Sequence, residues 1–106
     1  MTETVRNVLS ELKGRLADLY GERLKGVYLF GSYARNEANE ESDVDVLIVL
    51  DQMENYSREI SHTSELFSEL SLACGRSISC VFTTETKWQH DQTMFFINAR
   101  EEAISV

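Results

Sequence analysis

Two aspartates, Asp43 and Asp45, stand one residue apart at the mouth of the apolar run from Val44 to Leu50. On an extended chain, residues two apart leave the same face, roughly 6–7 Å from each other at Cα. Carboxylates that close repel unless something positive sits between them. A divalent cation meets that need: carboxylate oxygens are natural ligands of Mg2+, which keeps waters and substrate phosphates as its other ligands. A purely structural alternative exists, in which Asp43 caps a turn through Ser42 and Asp45 pairs with an arginine. Upstream, Gly31 and Ser32 follow directly on a second apolar run that ends in Phe30. Glycine there permits a tight turn and close approach of a ligand to the backbone. Ser32 adds a hydroxyl where a helix would begin and offer free N–H groups to an anion. Alone, such a pair after a strand is more often a plain turn.

The elements that must position these residues can be read from periodicity. Val5, Val8, Leu9, Leu12, Leu16 and Leu19 recur at helical spacing, and Gly21 is placed to end that helix. Lys25 to Phe30 reads as a short strand, followed by a turn and a short helix around Gly31 to Glu37. Val44 to Leu50, rich in β-branched residues, is the strongest strand signal in the chain. Tyr56 to Cys74 reads as a second long helix, with Ile60, Phe67, Leu70 and Cys74 on one face and Gly75 at its end. Ser77 to Phe82 supplies a third strand, and helical turns follow from about Thr84 to Glu102. This alternation predicts an α/β fold, a small β-sheet flanked by helices, with residues 1–106 forming one domain.

Taken together, Gly31-Ser32-x-x-Arg35, a polar loop and Ser42-Asp43-x-Asp45 entering an apolar strand resemble the signature of the nucleotidyltransferase superfamily related to DNA polymerase beta. The similarity is to its minimal, single-domain branch, and it extends over the leading helix, the strands and the ending FFINAREEAISV. The resemblance implies a mixed sheet of the polymerase beta type. It implies that Gly31 and Ser32, with Ser42 beside the acid pair, hold the triphosphate of a nucleotide, ATP in the first instance. Asp43 and Asp45 would be the catalytic carboxylates and the ligands of one or two Mg2+ ions. Arg35 would pair with a phosphate or brace the loop. The reaction implied is attack of an acceptor hydroxyl on the α-phosphorus, with pyrophosphate leaving. Minimal nucleotidyltransferases commonly act as antitoxins beside a helical HEPN-type toxin, which implies a separate protein partner; association of copies of this chain is left open.

Two departures from the family pattern stand out. Asn36 occupies a place usually held by glycine; asparagine tolerates a left-handed backbone better than most residues. More seriously, the third carboxylate of active members falls at about Ser79, and serine supplies neither negative charge nor a base at neutral pH. Glu69, on a helix, and Glu85, beyond the strand end, are poor substitutes. The alternative function is therefore a catalytically weak or inactive module that binds nucleotide or masks its partner.

Composition narrows the remaining classes. Eighteen acidic against ten basic residues give a net charge of −8, which argues against a surface that tracks nucleic-acid phosphates. Seven carboxylates and no Lys or Arg fall between Glu37 and Glu54; Glu37, Glu40 and Glu41 read as a solvated loop. No apolar run approaches the roughly 18–20 residues of a membrane span, and no secretory signal is evident, so a cytoplasmic protein is expected. Cys74 and Cys80 lack metal-ligand spacing and read as thiols. His62 and His90 show no ligand pattern. Trp88, Phe95 and Phe96 read as packing residues before an aromatic nucleotide platform, and Tyr33 as either packing or a cover for a base.

Overall fold

The structure, a computed structural model, describes residues 2–39 and 42–106. Helix α1 runs from Glu3 to Tyr20. Thr2 starts it, its hydroxyl oxygen accepting from the Val5 N–H at 3.2 Å, and Gly21, at φ +58°, ends it. Its buried stripe is Val5, Val8, Leu9, Leu12, Leu16 and Tyr20. Leu19, expected inside, is 41% exposed. Tyr20 takes the inward place because its ring packs edge-on against Phe82 while its hydroxyl donates to the buried Glu59 carboxylate at 2.7 Å.

A single 3-10 turn, Gly21–Arg23, leads into β1, Leu24–Phe30. Then come β2 (Val44–Leu50), α2 (Tyr56–Cys74), β3 (Ile78–Thr84), α3 (Glu85–His90), α4 (Met94–Glu102) and a two-residue β4 (Ile104–Ser105). Asn55 caps the start of α2 by accepting from the Arg58 N–H, and Gly75, left-handed at φ +69°, closes it. The four strands lie in the order β3-β2-β1-β4. β2 and β3 run parallel, joined by the α2 crossover, while β1 is antiparallel to both β2 and β4. The sheet is thus mixed, as the family resemblance implied.

Alternation along the strands sends side chains to two faces. Val27 and Leu29, Val44, Val46, Ile48 and Leu50, and Ile78 and Phe82 join α1 and α2 in the main core. The opposite face carries Tyr28 and Phe30, Asp45, Leu47 and Val49, and Ser79, Val81 and Thr83. It is covered by the C-terminal helices, with Trp88 tilted over Tyr28 at 4.8 Å and Phe95 edge-on to Phe30 at 5.6 Å. Leu47 and Val49 are buried under that cover. Burial on both faces explains why β2 reads as a continuous apolar run. Among the described residues no helix is long and apolar enough to cross a membrane.

The helix expected around Gly31 to Glu37 is absent. The segment is a set of turns in which Gly31, Tyr33 and Ser32 carbonyls accept from the amides of Arg35, Asn36 and Glu37. Asn36 sits at φ +60°, the left-handed conformation in which a Cβ is costly and Asn is among the residues that tolerate it. That reversal stops a helix from propagating. Glu40 and Glu41 lie outside the described residues.

Candidate functional site

The candidate site forms where β1 ends and β2 begins. Antiparallel pairing sets Phe30 opposite Asp45, so the chain leaving β1 turns at Gly31 directly beside the acid pair. Gly31 has φ +75°, and a Cβ built on it would collide with the Asp45 carboxylate oxygen Oδ2. Glycine is required there twice over, by backbone conformation and by the closeness of Asp45. Asp43 immediately precedes β2 and is exposed, whereas Asp45, its second residue, is half-buried between Phe30 and Ser79.

Electrostatics at the pair are unfavourable as they stand. Burial, and then the charge of Asp43, push the Asp45 carboxyl above its ordinary value, against an opposing pull from Arg35. The structural alternative for Asp45, a direct ion pair with an arginine, does not occur among the described residues: Arg35 is engaged elsewhere. Its Nε donates to Glu37 at 2.7 Å, and Nη1 donates to both carboxylate oxygens of Glu102 at 3.3 Å. Glu37 lies exposed in the turn, as expected of a solvated loop residue, and also pairs with Arg35. Ser42 closes its own loop, its hydroxyl accepting from the Asn39 N–H at 3.0 Å. Ser32 stands at the turn without the helix that was expected to follow it. Among the described residues, the amides of Ser32, Tyr33 and Ala34 enter none of the turn's hydrogen bonds.

The donor set suits Mg2+. Two carboxylates, one of them open to solvent, leave most of an octahedral shell to water and phosphate oxygens, the usual arrangement for this ion. Among the described residues there is no group of three His, Cys, Asp or Glu side chains that could hold a metal without such outside ligands. Ser79, exposed, is the residue that β3 places beside Asp45. Neither suggested substitute approaches: Glu69 lies on α2 and pairs with Arg15 at 2.8 Å, and Glu85 begins α3 beyond the far end of β3. The geometry thus brings together Gly31, Ser32, Arg35, Asp43 and Asp45.

Other sequence candidates go to packing. Tyr33 is buried in the main core; Trp88 and Phe95 pack on Tyr28 and Phe30 of the sheet, and Phe96 packs edge-on against Phe95. His62 lines a polar cleft of about 320 Å3 with Tyr20, Arg23, Asn55, Arg58 and Glu59. That cleft lies at the opposite end of β2, where Arg23 pairs with Asp51. Missed by sequence reasoning was Glu102, which meets Arg35 across 67 residues of chain; no local signal marks it.

Comparison with known proteins bears on the family and the fold. Residues 9–100 match the model of the nucleotidyltransferase domain family. The protein adenylyltransferase MntA of Thermococcus cleftensis is 33% identical over 85 residues, 80% of each chain. A candidate protein adenylyltransferase of Methanocaldococcus jannaschii is 35% identical over 77 residues, 73% of this chain and 71% of that one. Another from the same organism is 46% identical over a shorter stretch, 43% of this chain and 46% of the relative. Among solved structures, a toxin–antitoxin with AMP-PNP shares the fold at TM-score 0.60 and 21% identity, over 90% of this chain and 69% of the other. An MntA–HpeT toxin–antitoxin variant does so at 0.57 and 20%, over 92% and 70%. The chain belongs to the nucleotidyltransferase domain family, in its minimal, MntA-type branch.

Proposed function

We propose that this chain transfers a nucleoside monophosphate, AMP from ATP, to a hydroxyl on a separate protein, as the antitoxin of a pair whose toxin is a helical HEPN-type protein. The observation that carries the reading is the close packing of the Gly31 turn on Asp45, which makes one site of a phosphate-accepting turn and a metal-binding acid pair. Relatives named protein adenylyltransferase support the transferred group and the class of acceptor. Solved toxin–antitoxin neighbours, one with AMP-PNP, support the partner and the nucleotide. An overall charge of −8 suits encounter with a basic partner.

In this reading the Ser32 hydroxyl and the Ser32, Tyr33 and Ala34 amides hold the triphosphate, with Ser42 at the edge of the site. Asp43 and Asp45 are the Mg2+ ligands, and Arg35 faces a phosphate. Bound Mg2+ neutralises phosphate charge and stabilises the attacking and leaving oxygens. The acceptor oxygen bonds to the α-phosphorus, the bond from that phosphorus to the β-phosphate bridge breaks, and pyrophosphate departs. Ser79 is no base, so the acceptor's proton leaves to water or to a base on the partner. The nucleotide and ion required are those of the cytoplasm, where we place the protein.

Ser79 beside Asp45 favours a second reading, in which nucleotide binding and masking of the partner persist while transfer is slow or absent. One experiment separates the two. Purified chain, Mg2+ and α-labelled ATP are added to a lysate of the parent organism, beside the Asp43→Ala/Asp45→Ala variant. Label on a protein with the wild type alone supports transfer; no label despite Mg2+-dependent ATP binding supports masking; label with both proteins overturns the site.

A further inference from the structure

We propose that Glu102 is a positioning residue for Arg35: by holding one edge of the guanidinium, it lets the C-terminal helix set where the Gly31 turn presents that charge to the phosphates of a nucleotide. The inference rests on the nucleotide-binding reading above. The Arg35 guanidinium has three nitrogens, and two are committed. Nε goes to Glu37, two residues along the same turn, and Nη1 goes to both oxygens of Glu102. Nη2 has no partner among the described residues, which leaves that one nitrogen and its two N–H donors for a ligand.

Glu102 can hold that position because its own backbone is fixed relative to the turn. It is the last residue of α4, and two residues on, β4 pairs with β1, Ile104 with Leu29 and Ser105 with Tyr28. β1 then runs through Phe30 straight into Gly31. At the other end of α4, Phe95 rests edge-on against Phe30. These contacts, with the Val106 N–H donating to the Val27 carbonyl, bind the C-terminal segment to the strand that leads into the turn, and Glu102 reaches from that segment to the Arg35 side chain. Glu37 alone, moving with the turn, cannot fix Arg35 relative to the sheet.

An exposed ion pair of this kind adds little to stability, so its role should appear in binding and not in melting. The test compares wild type, Glu102→Ala, Glu102→Gln, Arg35→Ala and Glu102→Ala/Arg35→Ala for MgATP dissociation constant, melting temperature, and exchange without nucleotide of the Arg35, Asn36 and Glu37 amides, whose hydrogen bonds hold the turn. Glu102→Ala is expected to weaken MgATP by about 3- to 10-fold, with melting shifted by less than about 2 °C and faster exchange in the turn. Glu102→Gln, which keeps an acceptor oxygen, should recover part of the affinity. In the Arg35→Ala background the Glu102 change should have no further effect. Equal weakening in both backgrounds overturns the proposal, as does full MgATP affinity in Glu102→Ala when Arg35→Ala has lost it. If the wild type binds no MgATP, the nucleotide reading fails by itself; the exchange data then decide the tether, and unchanged exchange in Glu102→Ala overturns it.

Discussion

Ser79 is the direct partner of Asp45 across the parallel β2–β3 ladder, so both side chains leave the same face of the sheet. This register is what makes Ser79 the natural place for a further carboxylate. Ser79→Asp is expected to push the Asp45 carboxyl still higher and to lower the melting temperature of the metal-free protein, because a third acid joins two that already repel. Addition of Mg2+ should recover more stability in the variant than in the wild type. If transfer is slow for want of that carboxylate, turnover of α-labelled ATP should rise in the same variant. Calorimetry with and without Mg2+ checks the first part, and initial rates check the second.

Gly31→Ala tests the turn. The new methyl meets Asp45 Oδ2 while the backbone is held at φ +75°, so either the turn or the carboxylate must move. A cost of about 1–3 kcal/mol is expected from backbone strain alone, read by chemical denaturation. Loss of Mg2+-dependent ATP binding should exceed what that destabilisation accounts for at temperatures where the variant remains folded.

Asp45→Asn separates stability from function. The folded protein holds this carboxyl above its ordinary value, so it binds more protons than the unfolded chain between about pH 4 and the raised value. This group's contribution to the stability of the metal-free wild type therefore falls as pH rises through that window, against the rise from Asp51 and Asp91, whose carboxyls are held below their ordinary value. The amide variant should lack this fall and melt slightly higher at neutral pH without metal, while losing the stabilisation by MgATP. Melting curves across pH 3.5 to roughly 7 decide it; a variant that melts lower at neutral pH would sink the argument.

Tyr20 and Glu59 form a buried pair remote from the site, with Arg23 stacked over the Tyr20 ring at 5.5 Å and 3.8 Å from the Glu59 carboxylate. Burial, and then the bond to Glu59, raise the Tyr20 hydroxyl far above its usual range. Its contribution is present below about pH 10 and is lost as pH climbs toward the raised value. Tyr20→Phe leaves a buried carboxylate short of a donor and should cost about 1–3 kcal/mol at neutral pH. Alkaline titration of the melting temperature should be flatter in the variant, with nucleotide binding unaffected.

Much of this protein was determined by local sequence. The helices from Glu3 to Tyr20 and Tyr56 to Cys74 follow from apolar residues at helical spacing between capping residues and a closing glycine. The strand from Val44 to Leu50 follows from a β-branched run too short and too continuous to be an amphipathic helix. The closeness of the Gly31 turn to Asp43 and Asp45 was legible because the signature that groups them is carried by spacing within one short stretch. What spacing could not supply was everything that depends on residues far apart in the chain. Tyr20 displaced Leu19 from the core because its partners, Phe82 and Glu59, lie on other elements. The helix expected after Gly31 gave way to turns because Asn36 adopts a left-handed backbone. The partner of Asp45 on β3 is fixed by pairing register, which a shift of one residue would reverse. Glu102 reaches Arg35 only because a two-residue strand folds the C-terminal segment back along β1. Local periodicity chose the elements and the acid pair; long-range packing and strand register decided what stands beside them.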